Sequence, residues 1–89
     1  MNACKRVLYS GQVQGVGFRY TVLGLAEKYP VAGYVRNLPQ GEVELLAEGE
    51  AASVEALLAA VATHMGQYIR RCVVNDEPPQ GLQDFTIRH

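Results

Sequence analysis

Two short stretches of this sequence carry groups suited to a phosphoryl anion. In Gln14-Gly15-Val16-Gly17-Phe18-Arg19, two glycines stand just ahead of an arginine. Glycine accepts backbone angles that other residues avoid. A sharp turn built from it can aim successive N–H groups inward, making a concavity that binds anions. A helix starting near Phe18 would add its unpaired leading N–H groups and the positive end of its dipole. Arg19 then falls in the first helical turn, where its planar fork matches two phosphate oxygens and stays charged. The backbone amides of Gly15, Val16, Gly17, Phe18 and Arg19, with the Arg19 side chain, describe a cradle for a dianionic phosphoryl group. The second stretch, Gly33-Tyr34-Val35-Arg36-Asn37, supplies Asn37 at the end of a strand-like run.

The same residues exclude neighbouring chemistries. The Lys-Ser/Thr pair that ends a Walker A motif is missing, and the glycine spacing is not that of a dinucleotide fingerprint. Neither stretch holds a His, Asp or Glu, so paired-carboxylate or histidine catalysis is not indicated. His64 reads as a surface residue near a helix end. Arg36 alternates away from Asn37, which gives it a surface role. Glu42, Glu44 and Glu48 read as a solvated strand face by the same alternation. Phe18 and Tyr34 read as core or site-wall residues.

The elements that must position these groups follow from hydrophobic periodicity. Lys5 to Val13 is a strand with Val7, Tyr9 and Val13 on one face. Phe18 to Tyr29 is a helix whose apolar face is Phe18, Val22, Leu25, Ala26 and Tyr29, stopped by Pro30. Gly24 lies inside it with no evident role. Val31 to Asn37 is a second strand, Leu38 to Gly41 a turn, and Glu42 to Glu48 a third strand with Val43, Leu45 and Ala47 inward. A second helix runs from Ala51 to His64 with Val54, Leu57, Leu58, Val61 and Met65 as its buried stripe. Glu50 and Glu55 suit its dipole, and Gly66 suits its end. Tyr68 to Asn75 is a fourth strand, where the adjacent Val73 and Val74 hint at a bulge. Phe85 to His89 is a short last strand with no assigned place in the sheet. The order is the ferredoxin-like βαββαβ sandwich of the α+β class, two helices on one face of a mainly antiparallel sheet of four to five strands. The right-handed crossover makes the first two strands parallel. Arg19 and Asn37 then meet at one edge of the sheet.

Composition sets the outer bounds. Eighty-nine residues with 48% apolar and 19% charged side chains suit one soluble domain over residues 1–89. A formal net charge of −1 without a Lys/Arg block gives no sign of nucleic acid or a membrane surface as partner. The absence of an apolar leader or a long apolar run reads as a cytoplasmic protein. Cys4 and Cys72 read as two free thiols, with a bridge between them left open. No metal-ligand cluster or cofactor motif is present.

The run from Gly11 to Arg19 resembles the first signature of the acylphosphatase family, and Gly33 to Asn37 resembles the second. Gly41-Glu42-Val43-Glu44, Glu48-Gly49 and Phe85-Thr86-Ile87-Arg88 extend the likeness over nearly the whole chain. The second helix ends in Thr63 to Tyr68 where many members have a Gly-Pro-rich turn, and Gln40 stands where Asp is frequent. The resemblance implies hydrolysis of a small acyl phosphate to a carboxylate and phosphate, with no metal or other cofactor, by a monomer. It implies that Arg19 binds the phosphoryl group and that Asn37 positions the attacking water. A non-catalytic phosphate-binding module of the same fold is the alternative.

Overall fold

The computed structural model describes residues 1–89. Its elements are β1 (Asn2–Gly11), α1 (Phe18–Ala26), β2 (Val31–Asn37), β3 (Val43–Glu50), α2 (Ala51–Met65), a 3₁₀ turn over Gly66–Tyr68, β4 (Ile69–Asp76) and β5 (Phe85–Arg88). The five strands form one sheet in the order β4-β1-β3-β2-β5. β3 is antiparallel to both β1 and β2, so β1 and β2 run parallel with β3 between them. β5 pairs parallel to β2 and β4 antiparallel to β1. The sheet is therefore mixed, and the predicted α+β sandwich holds.

Alternation on the strands builds the core. Val7 and Tyr9, Val43, Leu45 and Ala47, and Val35 share one face. They pack against Phe18, Val22, Leu25 and Ala26 of α1 and Val54, Leu57, Val61 and Met65 of α2. Leu58 is only partly buried beside them. The Tyr9 and Phe18 rings meet with centroids 5.0 Å apart in a tilted arrangement, a favoured aromatic geometry. The opposite face of the sheet carries no helix and a smaller cluster of Cys4, Tyr34 and Leu46, against which Leu82 packs.

Several expected details differ. β1 ends at Gly11, short of Val13, although Val13 is fully buried. α1 ends at Ala26 rather than Tyr29. The amides of Lys28 and Tyr29 bond three residues back, to Leu25 and Ala26, so the chain tightens before Pro30 enforces the stop. α2 runs one residue further than expected. Gly66 follows it with φ −55° rather than in the left-handed region, because the chain continues into the 3₁₀ turn. Glu50 stands at the N-cap of α2 without a side-chain capping bond, and no acidic residue lies in the first turn. The irregularity of β4 falls at Ser10/Gly11, where Ser10 faces Arg71 and Gly11 faces Ile69, not at Val73 and Val74. Gly11 has φ +127°, and a Cβ there would come within 2.5 Å of the Tyr68 carbonyl oxygen, so this close approach needs glycine.

Glu44 corrects the reading of β3. It is 1% exposed, not solvated. Its carboxylate accepts from Nε of Arg6 and Nε of Arg36, each at 2.5 Å. Glu48 is partly buried and accepts the amides of Gln80 and Gly81. Cys4 is buried and Cys72 exposed, and both are free. Cys72 faces Tyr9 across the β1–β4 ladder, whereas Cys4 clusters with Tyr34 and Leu46 on the other face. Opposite faces of a sheet cannot be joined by a disulfide.

Candidate functional site

The site begins with register. Tyr9 pairs with Val43, and Val43 pairs with Asn37. These three residues form one row across β1, β3 and β2. Two strand spacings place Asn37 about 10 Å from Tyr9, close to the end of β1. The loop Gln12–Gly17 crosses that gap before α1 begins.

Two glycines shape the loop. Gly15 and Gly17 have φ of +80° and +77°, the left-handed region that costs other residues about 1–2 kcal/mol. A Cβ at either would meet no atom within 4 Å, so the backbone angle and not space selects glycine there. Gly17 is also the N-cap of α1, and no side chain caps that end. The first helical bond runs from the Thr21 amide to the Gly17 carbonyl at 3.0 Å. The leading amides of α1 therefore have no acceptor within the helix.

A cleft of about 100 Å³ lies at this junction, lined by Val13, Gly15, Gly17, Phe18, Arg19, Tyr20 and Asn37. Arg19 and Asn37, predicted from separate stretches, thus line one cleft with the glycine loop. Asn37 Oδ1 is buried with no hydrogen-bond partner, an uncommon state for a buried acceptor. Phe18 is a core residue and wall of the cleft at once. Val16 is not among the lining residues; it packs its side chain against the core, which leaves only its backbone for the cradle.

Other residues stand as alternation placed them, or apart from the cleft. Arg36 is on the opposite face, paired with Glu44, with its guanidinium 5.6 Å from the Tyr34 ring centroid. Arg88 stacks more closely on the same ring at 3.9 Å, within cation–π range. His64 is exposed and its Nδ1 lies 2.9 Å from the Ala60 carbonyl oxygen, a local helix-end contact.

Two contacts were not legible in the sequence. β5 ends beside Asn37 at the same edge, since Arg36 pairs with Arg88. That brings His89 Nδ1 to 3.4 Å from Arg19 Nη1. The second concerns Gln14, whose Nε2 donates to the carbonyl oxygens of Leu38 and Glu42, both at 2.9 Å. Neither contact has a signal in local periodicity, because each joins segments far apart in the chain.

The arrangement can hold a tetrahedral oxyanion between loop amides and Arg19 while presenting a free acceptor, Asn37 Oδ1, beside it. The acylphosphatase family model matches residues 5–87. An acylphosphatase of Methanospirillum hungatei is 44% identical over 88 residues, covering 94% of this chain and 97% of that protein. The crystal structure of the acylphosphatase from Bacillus subtilis superposes with a TM-score of 0.90 at 34% identity over 100% of both chains. The structure of one from Coxiella burnetii gives 0.87 at 34% identity, covering 98% of this chain and 93% of that one.

Proposed function

This chain belongs to the acylphosphatase family, and we propose that within it Arg19 and Asn37 divide the work of the reaction. The relatives and structural neighbours support acylphosphatase function: hydrolysis of a carboxyl-phosphate anhydride to a carboxylate and inorganic phosphate. The observation that carries the residue assignment is the partnerless Oδ1 of Asn37 in the same cleft as Arg19.

An acyl phosphate has a good leaving group, because a carboxylic acid has a pKa near ~4. The carboxylate departs with the electrons of the broken P–O bond and needs little help from a general acid. Catalysis is then mainly positioning and charge stabilisation. Arg19 and the amides of Gly15 to Arg19 hold the non-bridging oxygens. Asn37 Oδ1 accepts one O–H of the attacking water and turns a lone pair of that water toward phosphorus. A neutral amide is no strong base, so the other water proton passes to a phosphate oxygen. In this reading the cradle's own dipoles and Arg19 supply the positive charge, and turnover is independent of metal ions. The reading further takes residues 1–89 as one domain, acting as a cytoplasmic monomer on small acyl phosphates without nucleic-acid, membrane or cofactor partners. No helix is long and apolar enough to cross a membrane.

The test is hydrolysis of a simple aromatic acyl phosphate with EDTA present. Wild type should turn over rapidly, and Arg19→Ala and Asn37→Ala should each lose about 10²–10³-fold or more in kcat while remaining folded. Asn37→Ala should keep its affinity for inorganic phosphate, and Arg19→Ala should lose it. A folded wild type with no turnover would overturn the enzyme reading, and phosphate binding by calorimetry would then show whether the cradle serves as a binding module instead.

A further inference from the structure

The two halves of the site come from segments that share no strand pairing: the loop after β1 and the end of β2, with β3 between them. Something must set the distance between the amide cradle and Asn37. Gln14 is the residue next to Gly15, and Leu38 is the residue next to Asn37. The Gln14 carboxamide donates from Nε2 to Leu38 O and Glu42 O, both at 2.9 Å. Those two carbonyls already close the β2–β3 turn. Leu38 N–H donates to Glu42 O at 2.8 Å, and Gly41 N–H donates to Leu38 O at 3.1 Å. Each carbonyl oxygen has two lone pairs. The turn uses one on each, and Gln14 takes the other.

A single amide group therefore clasps the turn that follows Asn37 while its own backbone leads into the cradle. From this geometry we propose that Gln14 is a positioning residue, fixing the offset between the phosphate-holding amides and the water-orienting Asn37. The inference rests on the assignment of Asn37 made above. Gln14 does not line the cleft, so it acts through Asn37 rather than on the substrate. A misplacement of about 1 Å is enough to cost up to ~10²-fold in rate, whereas anion binding by amides of an intact loop is indifferent to where Asn37 lies.

Two substitutions separate this from a general loss of structure. Gln14→Met keeps the length of the side chain and removes both donors. Gln14→Glu has only acceptors when ionised and sets a carboxylate against two carbonyl oxygens. With an acyl phosphate as substrate, both should lower kcat by about tenfold or more, Glu at least as much as Met. The inhibition constant for inorganic phosphate should stay within about twofold of wild type. Amide NMR should show phosphate still shifting Gly15 and Gly17 in the whole protein population, with the Asn37 side-chain NH₂ resonances displaced. The active fraction is thereby counted, so a partly unfolded sample cannot imitate the result. Unchanged kcat in either variant would overturn the proposal. A parallel loss of phosphate affinity would also overturn it, by assigning Gln14 to the cradle. An inactive wild type would instead remove the functional reading beneath it, which keeps the two failures distinct.

Discussion

Glu44 sets two opposing forces on one carboxyl group. Burial raises its pKa, and the hydrogen bonds from Arg6 and Arg36 outweigh that, so the net shift is downward. A carboxyl depressed in the folded state stabilises fully above its unfolded pKa, near ~4.3. That contribution disappears as pH falls through the lower folded value. Glu44→Gln should therefore destabilise by about 1.5–3 kcal/mol at pH 7, the range for hydrogen bonds to charged groups. In urea melts the gap to wild type should shrink steadily below about pH 4. A gap that stays constant down to pH 2 would show that shape, not charge, gives Glu44 its role. Alternation correctly placed Glu44 opposite Leu45. It could not reveal that this second face is covered, because Arg6 and Arg36 reach Glu44 from the two flanking strands. The approach of His89 to Arg19 stayed hidden for the same reason. By contrast the placement of Arg19 and the two glycines in one cleft was legible, since its signals are local: a left-handed turn, a helix start and an arginine within five residues.

Helix α1 positions the cleft from its first turn, and its middle contains an oddity. Gly24 is exposed, its backbone is not in the left-handed region, and a Cβ there would meet no atom within 4 Å. Nothing in the structure requires glycine at this position. Gly24→Ala should stabilise the protein by about 0.5–1 kcal/mol through helix propensity, seen as a higher Tm with unchanged kcat. A lower Tm would mean that a side chain at position 24 is not accommodated in the open space the structure shows there. The start of this helix was readable from Gly17 and the apolar period. Its end was not, because apolar Tyr29 continues the period and remains packed on the core after the helical bonding has changed. Periodicity records which side chains point inward; it does not record which hydrogen bond the backbone makes.

At the scale of the whole molecule, the larger of the two buried clusters is one layer of side chains between the two helices and the sheet. Leu57 is fully buried in that layer. Leu57→Ala should cost about 2–5 kcal/mol through lost transfer energy and the cavity left behind. For a chain of this size that is a large part of the total stability, so a thermal melt would reveal it readily. An unchanged melt would mean that α2 turns a different face to the sheet. The βαββαβ order and the parallel run of β1 and β2 followed from pattern and handedness. The seat of β5 did not. A four-residue strand has too little alternation to declare a neighbour, and its place beside β2 depends on the long loop that precedes it.

The insertion of β3 between β1 and β2 also bears on refolding. The two strands that deliver the cradle and Asn37 never touch each other as neighbours. They reach working distance only once a strand that follows both in the chain has paired with each. The β2–β3 pairing is a local hairpin, but the β1–β3 pairing joins strands separated by α1 and β2, and non-local pairings form late and slowly. A collapsed intermediate in which the β2–β3 hairpin has formed but β3 has not yet paired with β1 has both halves of the candidate site and no fixed distance between them. Regained turnover after dilution from denaturant is thus a clock for completion of the sheet, and it should lag the return of helical signal whenever such an intermediate accumulates.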